Sequence, residues 1–238
     1  MTAQKHKLSL IAGVVAALSW CLADMLLVGF IPRPEAFPLL SQQLAPQIDS
    51  ELAVLMLDGS PQRLLWGVYF ATFSVVLYVL ALFGVWDFLT ARRGRAAIIF
   101  LLLLGYALSP LGHAGFAYVG LQAQSLLRIP PEFLDAPVAN FNLFVQLLHA
   151  HWVASVGASA LGWLAVAVLT VAGKTRLPRW AVCFNPVPVA VLIVLVCTPL
   201  RNHLWATLIG SATFNIAQLV FFASALLIPA RPAAATPD

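Results

Sequence analysis

The sequence predicts an all-α fold, a polytopic bundle of six transmembrane helices with both termini cytoplasmic, and three observations carry that expectation. Of its 238 residues 61% are hydrophobic and only 9% charged, with a mean hydropathy of +0.92. A soluble domain carries about a quarter charged residues, and no water-soluble fold buries this much apolar surface. Six almost uncharged runs are each long enough, at about 20 residues of helix, to cross a bilayer core about 30 Å thick. Finally, Lys and Arg concentrate in alternate connections, which sets an orientation.

The first span covers 8–30, behind Lys5 and Lys7. It could instead be a secretory signal peptide with Cys21-Leu22-Ala23 as the cleavage site. However, the apolar stretch runs on past Ala23 to Ile31, and Trp20 spoils Leu18-Ser19-Trp20-Cys21 as a lipoprotein box, so a retained helix is the better reading. The outside loop, 31–63, is the longest connection. Its apolar stretch from Ser50 to Leu57 is too short to span, and reads either as a short helix at the membrane surface or over the bundle mouth, or as a plain packed connector.

The second span, 64–89, opens after Ser60-Pro61, the fourth, 141–171, after Pro137, and the fifth, 180–200, after Pro178. Proline suits the first helical turn because its missing N–H has no partner there anyway. The third span, 96–119, contains Gly105, Gly112 and Gly115, with Pro110 expected to kink it. In the fourth, Ala150, Ala154, Ala158 and Gly162 repeat every four residues, a small-residue face for close helix packing. Pro186 and Pro188 interrupt the fifth span, and the sixth covers 204–228. The short connections leave no room for a soluble domain, so residues 1–238 form one transmembrane domain.

Lys5, Lys7, Arg92, Arg93, Arg95, Lys174, Arg176, Arg179 and Arg231 lie on one side, and Arg33, Arg63, Arg128 and Arg201 on the other. The richer side is cytoplasmic. The outside connections carry Glu35, Asp49, Glu51, Asp58, Glu132 and Asp135, so the net charge of +4 reflects topology and implies no nucleic-acid partner. The expected location is the cell membrane, a bacterial inner membrane.

Cys21, Cys183 and Cys197 lie within spans without CxxC spacing, and no Gly-rich phosphate loop, GxSxG elbow or HExxH motif is present. Within the spans only Asp24 and Asp87 carry a formal charge. Asp87, beside Arg92-Arg93-Arg95, reads as the ion-pair partner of that cluster. Intramembrane ionisable groups are costly and therefore functional candidates. Asp24 and His113 each lie about six residues from the outer end of their span, roughly 9 Å deep at 1.5 Å per residue. His149 and His151 sit near the outer end of the fourth span, and Arg201, Asn202 and His203 form the outer turn between the fifth and sixth.

Asp24, His113 and His149 are thus the candidate catalytic residues. His151, Arg201, His203, Asn185 and Asn215 are candidate ligand-binding residues, Asn185 and Asn215 forming, with Gln218, a second polar set deeper in the bundle. Imidazoles with one carboxylate suit a transition metal such as zinc, or haem iron, with His113, His149 and Asp24 as candidate ligands. Asp with His equally suits proton transfer, or a purely structural tie between helices. Two residues apart, His149 and His151 point about 200° from each other, so only one of them faces any single site.

This layout, with Asp24 in the first helix, His113 after the Gly and Pro of the third and Asn185-Pro186 in the fifth, resembles bacterial six-helix membrane families that bring no assigned activity. Intramembrane hydrolases of the alkaline ceramidase type also set His and Asp around zinc, but with seven spans and an HxxxH pair in the last, absent here. Three functions stay open: action on, or binding of, a membrane lipid or hydrophobic small molecule at the outer cluster; a transporter or sensor with a polar path from that cluster to Asn185 and Asn215; or a scaffold without a catalytic site. The sequence identifies no protein partner.

Overall fold

The computed structural model describes residues 1–90 and 94–229. Arg92, Arg93 and Arg231, which contribute to the charge asymmetry, lie outside them. The described residues form an all-helical molecule with helices α1 (Ala3–Val28), α2 (Ser50–Leu55), α3 (Pro61–Phe88), α4 (Arg95–Leu126), α5 (Asp135–Val171), α6 (Pro186–Cys197), α7 (Leu204–Ser211) and α8 (Thr213–Leu227). Of these, α1, α3, α4 and α5 are each long and apolar enough to cross a membrane, and the bent pair α7 and α8 makes a fifth such segment if counted as one.

Local chemistry sets the boundaries. Ser60 caps α3 by accepting from the Arg63 N–H at 3.2 Å, with Pro61 in the first turn. Asp49 caps α2 in the same way through the Leu52 N–H, at 3.0 Å. Gly173, at φ +70°, ends α5 in the left-handed conformation that a residue without Cβ adopts cheaply. α4 runs several residues past the end of its expected span, and α5 begins several residues before its own. Hydropathy stops at polar turns, whereas here Gln122 donates to the Pro137 carbonyl at 3.0 Å and holds the two extensions together.

The last third of the chain departs most from the six-span expectation. Residues expected as one fifth helix divide into a 3-10 segment (Arg179–Phe184), then α6, then a 3-10 turn (Thr198–Leu200). The cause is Asn185-Pro186: the Asn185 carboxamide oxygen accepts from the Val187 N–H at 3.0 Å and starts a new helix there. By itself α6 spans roughly 18 Å at 1.5 Å per residue, short of a bilayer core. The sixth segment bends by 72° between α7 and α8, at Ala212.

In the bundle α1 lies along α3 and α8, α4 lies along α5 and α3, and α6 rests mainly on α8. The four-residue stripe of α5 holds over only half its length, with Ala158 and Gly162 buried but Ala150 and Ala154 exposed. A step of four residues advances about 40° beyond a full turn, so such a stripe winds off a neighbouring helix, whereas a step of seven stays on it. The true seam on α5 runs through Leu148, Ser155 and Gly162, all buried. Opposite it, a Cβ on Gly105 would stand 2.9 Å from the Ser155 carbonyl oxygen, and one on Gly115 3.0 Å from Leu148 Cα. Pro110 is accommodated without ending α4.

Residues 31–63 fold over one end of the bundle. Leu40, Leu44, Ile48, Ala53 and Met56 bury themselves against Leu126, Phe141 and Val145 in a core separate from the central one. At the other end Asp87 joins three segments: its Oδ2 accepts from Arg176 at 2.7 Å and faces His6 Nδ1 at 3.1 Å, with the N-terminal amine 3.8 Å from Oδ1. Of the cluster expected to pair with Asp87, Arg92 and Arg93 lie outside the described residues, and the Arg95 guanidinium lies over the Trp86 ring at 3.9 Å.

Candidate functional site

The polar site is assembled from α1, α3, α4 and α8. His113 Nε2 lies 3.1 Å from Asp24 Oδ1, joining two residues far apart in sequence and expected at one depth. The approach has the distance of an ion pair but not the straight N–H···O alignment of a full hydrogen bond, since Nε2 has no aligned partner among the described residues. On the other side of the ring, Nδ1 stands 2.8 Å from the Ser109 carbonyl oxygen one turn back along α4. Trp20 meets the ring edge-on, with centroids 5.2 Å apart, fixing the plane of the imidazole.

Asn215 completes the carboxylate. Its Nδ2 donates to Asp24 Oδ2 at 2.7 Å, and its Oδ1 accepts from the Tyr78 hydroxyl at 2.9 Å. Tyr78 stacks on Tyr106 at 4.4 Å, and the Tyr106 hydroxyl donates to Gln218 Oε1 at 2.6 Å. The bend at Ala212 turns the first two turns of α8, with Asn215 and Gln218, toward α1 and α4. Tyr78 and Tyr106, both wholly buried, were not signalled by the sequence, because a tyrosine in an apolar run resembles an interfacial aromatic.

A cavity of about 580 Å³ opens beside this network. Asp24, His113, Asn215 and Gln218 line it on one side, while most of its wall is apolar, from Phe116 and Val156 to Ala190 and Phe214. From Trp152 to Trp163 along α5 the wall runs roughly 16 Å. Trp152 on α5 and Val191, Val194 and Leu195 on α6 line the cavity yet are 42 to 67% exposed, so it opens sideways between α5 and α6. That side would face lipid in a membrane-spanning chain.

The other expected site residues stand apart from this network. His149 is exposed and lines no part of the cavity, and His151 is half-buried with Nδ1 2.8 Å from the Leu147 carbonyl oxygen. Arg201 and His203 are exposed in the turn before α7, where their carbonyl oxygens accept from Thr207. Asn185 is buried, but its amide is committed to Val187 and to the Trp163 carbonyl oxygen, at 3.1 Å, and lies outside the cavity. Among the described residues no three His, Cys, Asp or Glu side chains are grouped to hold a metal ion.

Fold and site together define a class: an all-helical protein of apolar, membrane-length helices with an Asp–His pair on the wall of a cavity. The chain belongs to DUF6796, a family of unknown function, whose model matches residues 1–231. No curated protein and no solved structure matches it.

Proposed function

We propose that this protein is a multi-pass cell-membrane protein that binds a lipid or other hydrophobic small molecule in the cavity between α5 and α6, with Asp24 and His113 at the polar end. One observation carries the reading: a largely apolar cavity of about 580 Å³ ends on a carboxylate–imidazole pair. Ligand sites are typically apolar clefts of about 300 to 1,000 Å³ with a few convergent polar groups. Burying ionisable groups away from water is costly, so their place on a cavity wall favours a role with a ligand over a tie between helices alone. In this reading α6 with its 3-10 turn forms the fifth crossing and α7 with α8 a bent sixth. Both termini are then cytoplasmic, which in a bacterium means the inner membrane.

The test is to purify the protein in mild detergent and identify copurifying apolar molecules by mass spectrometry, beside an Ala160→Phe variant that fills the cavity. The reading expects one retained class of molecule, lost in the variant. Equal recovery from both proteins would contradict it. The 72° bend between α7 and α8 favours a second reading, a transporter, because discontinuous helices are where transporters place polar sites. It would show as uptake by proteoliposomes of the molecule that copurifies.

A further inference from the structure

The chemistry of the cavity's occupant follows from the acceptor capacity left open on Asp24 beside His113, an argument that rests on the reading of the cavity as a ligand site. A carbonyl oxygen only accepts, so the 2.8 Å contact with Ser109 places a proton on His113 Nδ1. Nε2 is then the atom that faces Asp24. With the Asp24 carboxylate ionised and Nε2 protonated, the pair is net neutral, which suits a site away from water.

The spare capacity lies on Asp24. His113 is only 6% exposed, and its Nε2 is enclosed against the carboxylate. A carboxylate offers about four lone-pair positions. Asp24 uses one on Asn215 and meets His113 off line, and its side chain is half-buried on the cavity wall. An acceptor with unused lone pairs thus stands at the edge of an apolar chamber, with the imidazolium enclosed 3.1 Å behind it.

We propose that the occupant carries a hydroxyl group, an alcohol or phenol on an apolar body, seated at Asp24 so that it donates to the carboxylate. A hydroxyl supplies that donor from a single small uncharged group. An ether or ester oxygen only accepts, and would leave Asp24 without its donor. An ammonium group only donates, and adds a positive charge beside the imidazolium. A carboxylate sets a second negative charge against Asp24. A water molecule has the hydroxyl's complement, but it does not fill the roughly 16 Å of apolar wall from Trp152 to Trp163.

The test is native mass spectrometry of the delipidated full chain with two probes of matched tail, 1-tetradecanol and its methyl ether, 1-methoxytetradecane. The expected result is a one-to-one adduct with the alcohol at a concentration at least about tenfold lower than the ether requires, because a site built for a hydroxyl discriminates strongly against the analogue lacking it. In Asp24→Asn that preference should fall to near parity. Should the variant fail to fold, the comparison of the two probes on the native chain decides alone. Equal retention of alcohol and ether overturns the hydroxyl assignment while leaving the cavity as an apolar site. Retention of neither overturns the assignment and counts against the cavity reading as well.

Discussion

Asp24 and His113 show at the level of single residues how a bundle of apolar helices accommodates ionisable groups. Neither is left alone: Asn215 and the Ser109 carbonyl oxygen saturate the two outer flanks of the pair, and Tyr78 fixes Asn215. Removing either member leaves a charge without its counterpart, so a double-mutant cycle of Asp24→Asn and His113→Gln should show coupling of about 1 to 2 kcal/mol in thermal or denaturant unfolding. Tyr78→Phe leaves Asn215 Oδ1 without a donor and should cost about 1 kcal/mol by the same measurement. His149→Ala removes an exposed ring and should change stability by less than about 0.5 kcal/mol, with no effect on ligand retention. The pairing of Asp24 with His113 was legible in the sequence because depth can be counted from the span ends. The share of Asn215 was not, since nothing in a periodic apolar run tells which polar residue the fold turns inward, and the same ambiguity left His149 beside His151 as candidates.

Among the elements, the seam between α4 and α5 is the part most sensitive to a single methyl group. Gly105→Leu sets a branched side chain against the Ser155 backbone and should cost about 3 kcal/mol or prevent folding, seen as loss of a monodisperse peak in detergent chromatography. Gly157→Ala, with nothing within 4 Å of the added carbon and a mid-helix backbone, should stabilise by about 0.5 to 1 kcal/mol. The four long helices were legible because apolar length alone specifies them. The start of α6 was visible too, in Asn185-Pro186 and Pro188, although hydropathy merges it with the preceding 3-10 segment. The bend at Ala212 left no mark: Ser211-Ala212-Thr213 contains no proline, and the bend follows from tertiary packing that draws Asn215 toward Asp24.

For the whole molecule, the topology proposed above has a direct consequence. Lys174→Cys, between α5 and the 3-10 segment, and Glu132→Cys, between α4 and α5, should fall on opposite sides of the membrane. With the native cysteines replaced, a membrane-impermeant thiol reagent on intact cells should label Glu132→Cys, and Lys174→Cys only after permeabilisation. The reverse pattern would invert the orientation, and the same pattern for both would end the alternating arrangement. Hydropathy made a bundle of apolar, membrane-length helices legible, but it does not register a cavity, which depends on how helices distant in sequence pack together.

The central claim is that this cavity, and not the apolar surface at large, holds a hydroxyl-bearing hydrophobic ligand. The most direct measurement is photolabelling with a long-chain alcohol bearing a diazirine on its tail, followed by peptide mapping. Labels concentrated on cavity residues such as Val156, Ala160 and Val191, and displaced by unlabelled 1-tetradecanol, are the predicted result. Labels spread over the outward-facing Phe73, Phe100 and Val168, and unaffected by the competitor, would contradict it.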